Sequence, residues 1–287
     1  MGRVVEQVVH GPSLGKLKNK AGTIEVVSRS FEVLRCFDGL AVGLGNGDLS
    51  ARCGLPRSTV SRLTQTLTRM GLLVHVREEQ KYRIGPGAVG MCLAMTRSPA
   101  RDGQIRSILS GITARVPGVI ALGIPDRLDI TFIEVATAAT QSSSRAGRGN
   151  RVPMTRSAAG HAYAAVIDAS EADDLLLLID RCAPKEAERL QSRLQQNRLA
   201  LRERGYVIAC GLFRAHLNAI AVPFWSSLYN SFLVLTMTVL AKNYAEQRMR
   251  DEIAPLIVES AAEMERLLNP FDVSTNCAPK AAREIQL

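Results

Sequence analysis

GLPRSTVSRLTQTLTRM, Gly54 to Met70, is the stretch around which the chain is organised. Leu55-Pro56 makes a turn whose proline suits a helix start, because a first-turn N–H has no intrahelical partner to lose. From there Val60, Leu63, Leu67 and Met70 recur at spacings of 3, 4 and 3 residues, which predicts a buried stripe. Arg57, Ser58, Ser61, Arg62, Gln65 and Arg69 fall on other faces, with no Asp or Glu among them. Short hydroxyls, an amide and guanidinium groups are the side chains that reach phosphates and base edges in a major groove. An amphipathic helix with a solvated basic face has the same pattern in isolation. The flanks decide between the two.

Upstream, Ile24, Val27, Phe31, Leu34 and Phe37 keep helical spacing within Thr23 to Phe37, and Asp48 to Cys53 predicts a short second helix ending at Gly54. Downstream, Leu72 to Arg77 and Lys81 to Ile84 read as strands, with Val74 and Val76 alternating with His75 and Arg77 and with Glu78-Glu79-Gln80 as the hairpin turn. Helix, helix, tight turn, helix and a basic hairpin form a winged helix-turn-helix, a far more specific constellation than any one of its parts.

The runs SRSFEVLRCF (28–37), CGLPRSTVSRLTQTLTRMGLL (53–73) and KYRIGPGAVGM (81–91) resemble the N-terminal winged helix of the IclR family of bacterial transcription regulators. The resemblance implies a regulator that binds double-stranded promoter DNA. Arg57, Ser58, Thr59, Ser61, Arg62 and Gln65 would address bases and phosphates, and Arg77, Lys81 and Arg83 of the wing would hold adjacent backbone.

Charge agrees with that placement. The net charge is +9, and residues 1–85 carry 13 Lys/Arg against 7 Asp/Glu, leaving 23 against 20 for the remainder. A basic excess in the helix-turn-helix region is what phosphate contact requires. With 46% hydrophobic and 22% charged residues, the chain has the composition of a globular protein with room for two domains. The six cysteines are scattered without a Cys-x-x-Cys pair or a histidine at ligand spacing, so neither a zinc site nor a disulfide frame is indicated. No signal-peptide pattern opens the chain, and its most apolar stretch, Ala219 to Ala241, is broken by Pro223, Ser226, Ser227, Asn230 and Ser231. That stretch reads as two buried strands around a turn, and a cytoplasmic protein with no membrane partner is expected.

Taken in order, residues 1–22 read as a flexible basic arm, 23–85 as the winged helix-turn-helix domain, and 86–102 as a linker helix closed by Ser98-Pro99. Ala88 to Met95 is apolar on most faces and so seeks burial, either within its own subunit or against the same helix of another. Residues 103–270 read as a mixed domain: a helix over Gln104–Val116, a hairpin around Pro125-Asp126-Arg127, and a polar loop over Thr140–Arg151. A small-residue helix over Ser157–Ile167 follows, then an acid-led helix from about Glu171, a charged helix over Lys185–Arg204, and strands near 206–209, 217–224 and 232–239. A last helix over Arg248–Leu268 is kinked at Pro255, and residues 271–287 read as a disordered tail. The fold class is α+β.

RAGRGNRVPMTRSAAGHAYAA (145–165) and RERGYVIACGLFRAHLNAIAVPF (202–224) are similar to segments of the IclR ligand-sensing domain. The resemblance implies a GAF-like antiparallel sheet flanked by helices, a small-molecule effector held in a cleft formed by these segments, and a homodimer or dimer of dimers. The matching positions name Ile120, Leu122, Met154, Ser157, Ala159, Gly160, Cys210, Leu212 and Asn218 as its lining. Several polar anchors usual in the family are replaced: Ala209-Cys210-Gly211-Leu212 stand where acidic residues are common, Asn218-Ala219 where Arg-Cys is, and Val116-Pro117-Gly118 where Gly-Glu-Thr is. A site without those donors suits a more apolar or aromatic effector, or none.

Catalytic patterns are absent from the sequence. The four histidines, His10, His75, His161 and His216, form no metal-ligand motif, and there is neither a Gly-x-Ser-x-Gly elbow nor a phosphate-binding Gly-rich loop. His161, in the small-residue helix, reads as a satisfied core histidine, and no cofactor is expected. The rival to a DNA-binding regulator is a small-molecule-binding or enzymatic GAF-like protein whose winged helix serves protein contacts.

Overall fold

The computed structural model describes residues 24–37, 43–95, 99–138 and 146–269. The expected arm and tail, and the first half of the Thr140–Arg151 loop, lie outside the described residues. The chain divides into two compact units, one up to Pro99 and one from Ala100.

The first unit is built from α1 (Glu25–Arg35), α2 (Asn46–Cys53), α3 (Arg57–Arg69), β1 (Leu73–Val76), β2 (Lys81–Ile84) and α4 (Pro86–Met95). The start of α2 is held by the Gly45 amide, which donates to Asp48 Oδ2 at 3.0 Å. Its end is set by Gly54, whose φ of 72° places it in the left-handed region that costs glycine nothing. Pro56 then leads into α3, and Gly71 at φ 73° ends it, with the Leu72 amide returning to Leu67 O at 2.9 Å. The core gathers Val33, Leu49, Cys53, Val60, Leu63, Leu67, Leu73 and Tyr82.

Three expectations for this unit need correction. Met70 does not extend the buried stripe: the turn at Gly71 leaves it 64% exposed, and Thr64, wholly buried, takes the fourth inward position of α3. Along α1 and its two ends, Val33 and Cys36 enter the core and the expected Leu34 and Phe37 pack against it, whereas Ile24, Val27 and Phe31 are exposed. The wing pattern is also reversed. Leu73 and His75 face inward with Tyr82, while Val74 and Val76 lie on the outer face with Arg83 and Lys81, their cross-strand partners. An isolated bridge between Leu44 and Tyr82 adds a third edge to the wing, which sequence periodicity had no means of showing in a single residue.

The second unit is a six-stranded, wholly antiparallel sheet in the order β5-β4-β3-β8-β7-β6. The strands are β3 (Val119–Asp126), β4 (Asp129–Thr137), β5 (Arg151–Pro153), β6 (Val207–Cys210), β7 (Leu217–Ser226) and β8 (Ser231–Leu240). Its helices are α5 (Pro99–Arg115), α6 (Ala158–Val166), α7 (Ala169–Cys182), α8 (Pro184–Arg204), the short α9 (Glu246–Arg248) and α10 (Ala254–Leu268). Pro99 opens α5, so residues 99–102, expected in the linker, belong to that helix instead. The Ala219–Ala241 stretch forms β7 and β8 around a turn, and no helix among the described residues is long and apolar enough to cross a membrane.

The two faces of this sheet differ in residue size. Ile120, Leu122, Ile220, Val222, Leu233, Leu235 and Met237 pack against Leu109 and Ile112 of α5 and Ile257 and Met264 of α10. The opposite face carries the small ladder Ala121, Thr236 and Ala221, and α6 lies on it with Ala158, Ala159, Gly160, Ala162, Ala164 and Ala165 buried. Small residues on both surfaces let helix and sheet approach closely. Ahead of α10, Met249–Ile253 forms a π turn, so the helix is interrupted before Pro255, which sits harmlessly in the first turn of α10.

Candidate nucleic-acid interface

At about 3.6 residues per turn, Ser58, Arg62, Gln65 and Arg69 align on α3 opposite the buried Val60, Leu63 and Leu67, and all four are exposed. Thr59 and Ser61 lie half-buried on the flanks of that row. Arg57 is exposed but turned aside: its guanidinium runs alongside Gly47, where a β-carbon would sit 3.6 Å from Nη2. It therefore borders the α2 end of the surface. Arg69 completes the outward row, and sequence periodicity placed it off the buried stripe without adding it to the contact set.

The row is held in place from beneath. Thr64 Oγ1 lies 3.2 Å from Asn46 Oδ1, pinning α3 to the start of α2, and Ser50 Oγ donates to Leu55 O at 2.6 Å across the turn between the helices. Arg52 Nη1 donates to Cys36 O at 2.9 Å, tying α2 to the end of α1. Neither Thr64 nor Asn46 stood out in the sequence, because a hydroxyl buried under a basic face has no periodic signature.

In the wing, Arg77 and Arg83 are exposed and Lys81 is half-buried. Arg83 is not idle: its Nη2 lies 2.6 Å from Glu79 Oε1, so a phosphate would have to displace a carboxylate to reach it. Gln80, at φ 52°, forms the hairpin tip with its side-chain amide donating to Arg77 O at 2.8 Å. The wing base is pinched where Gly85 passes Gly71, since a β-carbon on Gly85 would stand 2.3 Å from Gly71 O.

The nine residues expected to line an effector cleft do not converge. Ile120 and Leu122 are core residues on the sheet face covered by α5 and α10, whereas Met154, Ala159 and Gly160 are buried on the α6 side. Ser157 is consumed as the cap of α6: its Oγ accepts from the Gly160 amide at 3.0 Å and donates to Pro153 O at 2.8 Å. Asn218 is equally committed, its Nδ2 donating to Tyr244 O at 2.9 Å and its Oδ1 accepting from the Gly211 amide at 3.1 Å. Cys210 is exposed beside Glu246, with the partial desolvation of its sulfur and that carboxylate pushing its thiol up, and Leu212 is half-buried in the β6–β7 connection. Alternation along each strand carries successive side chains to opposite faces, so one list drawn from matching positions mixes the two.

His161 is buried as a structural residue. Thr155 O, 3.0 Å from Nε2, can only accept, so Nε2 carries the proton and Nδ1 accepts from Asn197 Nδ2 at 3.0 Å. Burial lowers its affinity for a second proton, and Arg193 acts in the same direction. Among the described residues no three His, Cys, Asp or Glu side chains gather as metal ligands.

Residues 26–77 match the model of the IclR helix-turn-helix domain. The chain is similar over 246 residues to the HTH-type transcriptional regulator TsaQ1/TsaQ2 of Comamonas testosteroni, at 21% identity across 85% of this chain and 88% of that protein. In fold it is similar to an IclR family transcriptional regulator from Brucella abortus, with a TM-score of 0.71 and 24% identity over 85% of this chain and 92% of that one. It is also similar to an IclR homolog from Microbacterium hydrocarbonoxydans complexed with 4-hydroxybenzoate, with a TM-score of 0.62 and 21% identity over 86% of this chain and all of that one, 100%. The Comamonas and Brucella proteins are transcription regulators. Residues 26–77 thus carry the likeness to the IclR helix-turn-helix domain, and the likeness in fold to IclR-family structures extends over most of the chain.

Proposed function

We propose that the chain regulates transcription by sequence-specific binding of promoter DNA as a homodimer or dimer of dimers, under control of a small effector held by its second unit. The observation that carries the reading is the outward row Ser58, Arg62, Gln65 and Arg69, free of acidic residues and backed by a rigid core. In this reading α3 enters the major groove, its N-terminal half meets base edges, and Arg77, Lys81 and Arg83 follow the neighbouring backbone. Association between subunits is supported by exposed apolar side chains in the first unit, Ile24 at the start of α1, Val27 and Phe31 within it, and Val89 and Met91 of α4, which water alone would not favour. Two-fold symmetry then calls for two half-sites about one helical turn apart or a multiple of it.

An effector acts by binding one arrangement of the subunits better than the other, and coupling of about 1–3 kcal/mol suffices for a switch. The 4-hydroxybenzoate held by the Microbacterium homolog supports small-molecule sensing as the task of the second unit. The decisive test is selection of genomic fragments by the purified full chain. Enrichment of a few fragments whose affinity falls steeply with salt is expected, and a flat salt response with no enriched fragment would sink the reading.

A further inference from the structure

On the outer side of α6, away from the small-residue face that meets the sheet, the second unit opens a cleft of about 330 Å3. It is lined by Pro125 and Arg127 from the β3–β4 turn, Met154, Tyr163 and Ile167, and Glu171, Asp174 and Leu175. That volume lies at the small end of the roughly 300–1,000 Å3 range of ligand sites. Its floor is apolar: Met154 and Ile167 are buried, and Pro125 and Leu175 are partly covered. Tyr163 is the one residue of α6 that is not buried, and its phenol emerges here, near enough to the Glu171 carboxylate that burial and that charge together push it up. Glu171 and Asp174, three residues apart on the first turns of α7, share one side of that helix. Neither is paired with a cation among the described residues. Among the described residues the cation in the lining is Arg127, which stands at the hairpin turn with φ 60° and is already engaged in a contact of its own.

Resting on the reading of the second unit as a small-molecule sensor, we infer that this cleft takes a ligand with a primary ammonium group on a compact apolar or aromatic body. Two carboxylates and a π face surround the ammonium, and the apolar floor receives the remainder. Charge-assisted hydrogen bonds to Glu171 and Asp174 and the face of the Tyr163 ring all favour a cation. They disfavour a carboxylate such as 4-hydroxybenzoate at the same place, because like charges repel.

The full chain can be tested by thermal shift and titration calorimetry with three probes of similar size: 2-phenylethylamine, its neutral counterpart 2-phenylethanol, and 4-hydroxybenzoate. The amine is expected to raise the melting temperature and to bind about tenfold or more tightly than the alcohol. The double variant Glu171→Gln with Asp174→Asn changes two exposed side chains and should melt as the parent does when unliganded, while losing about tenfold in affinity for the amine. Tyr163→Phe should keep most of the binding and Tyr163→Leu should lose it. Equal binding of amine and alcohol, or amine binding untouched by the double variant, would overturn the inference. If 4-hydroxybenzoate binds, the amine does not and the double variant changes nothing, the sensor reading stands and the cleft assignment falls. If no probe binds and DNA fragments are unaffected by any of them, both fall.

Discussion

Two helices of this chain use opposite ways of being specific. Helix α3 has one buried face and one acid-free exposed face, so its core residues hold it still while Ser58, Arg62, Gln65 and Arg69 remain available to a partner. Helix α6 has almost no exposed face: alanines and Gly160 press it against the sheet and the 3-10 turn at Met154–Arg156, and its polar groups are consumed internally. The contrast separates two meanings of a site residue. On α3 a substitution should change what is bound and leave the fold alone. On α6 it should change whether the unit folds, and only Tyr163 escapes that rule.

The strongest challenge to this division is Gly160→Ala. A β-carbon there would lie 2.2 Å from the Met154 Cα and carbonyl oxygen, backbone atoms with no rotamer to yield, so a loss of about 1–3 kcal/mol in stability is expected. Denaturant melts of the second unit's transition read it directly, and an unchanged midpoint would show α6 to be looser than drawn. On α3, Arg62→Ala should lower the ratio of operator to random-DNA affinity by about 1–3 kcal/mol without changing the melt. Equal losses on both duplexes would remove Arg62 from the base-reading row.

A pH experiment probes the interior of the second unit. The folded chain holds His161 neutral, with its pKa lowered from the ordinary 6.5 chiefly by burial. The unfolded chain therefore takes up the proton first, and stability should decline as pH falls below 6.5 towards the lower folded value. Melts of the parent and of His161→Gln across that window should differ in slope, the variant being flatter. Parallel slopes would mean that the Asn197 amide turns over and accommodates the charged ring.

The smallest effects belong to the wing. Lys81→Ala should weaken all duplexes alike and reduce the salt slope by about 0.9. Glu79→Gln should do the reverse by freeing Arg83. The gain should be no more than about 1 kcal/mol, because the pair is exposed. A larger gain on operator than on random DNA would mean that the wing contributes to sequence choice.

The same contrast explains what could be read from the sequence. Helix α3 announces itself because its two faces differ in polarity, and its flanking turns carry the glycine and proline that such turns need, Gly54, Pro56 and Gly71. The strands β3, β4, β7 and β8 were readable as apolar runs between turn residues. Three-residue β5, which begins at the last residue of the expected polar loop, is not legible in the sequence, because a strand that short at a sheet edge has no pattern to detect. The exposed Ile24, Val27 and Phe31 were read as helix-forming, correctly, but periodicity does not say which partner an apolar stripe faces. The nine residues named for an effector cleft are placed by features that have no sequence pattern: which side of a strand each side chain emerges from, and local hydrogen bonds such as those of Ser157 and Asn218.

The π turn at Met249–Ile253 has a further consequence, for how this chain tolerates insertions and deletions. A helix keeps angular phase, and each residue removed rotates everything after it by about 100°. Ile257, Ala261, Met264 and Leu268 face the sheet only with the wide turn at its present length. Deleting a single residue between 249 and 253 would regularise the backbone and yet swing that stripe toward water. Among chains that share this sheet-and-helix unit, the length of that short segment should therefore vary less than its composition, and an engineered one-residue deletion should do more harm than any single substitution within it.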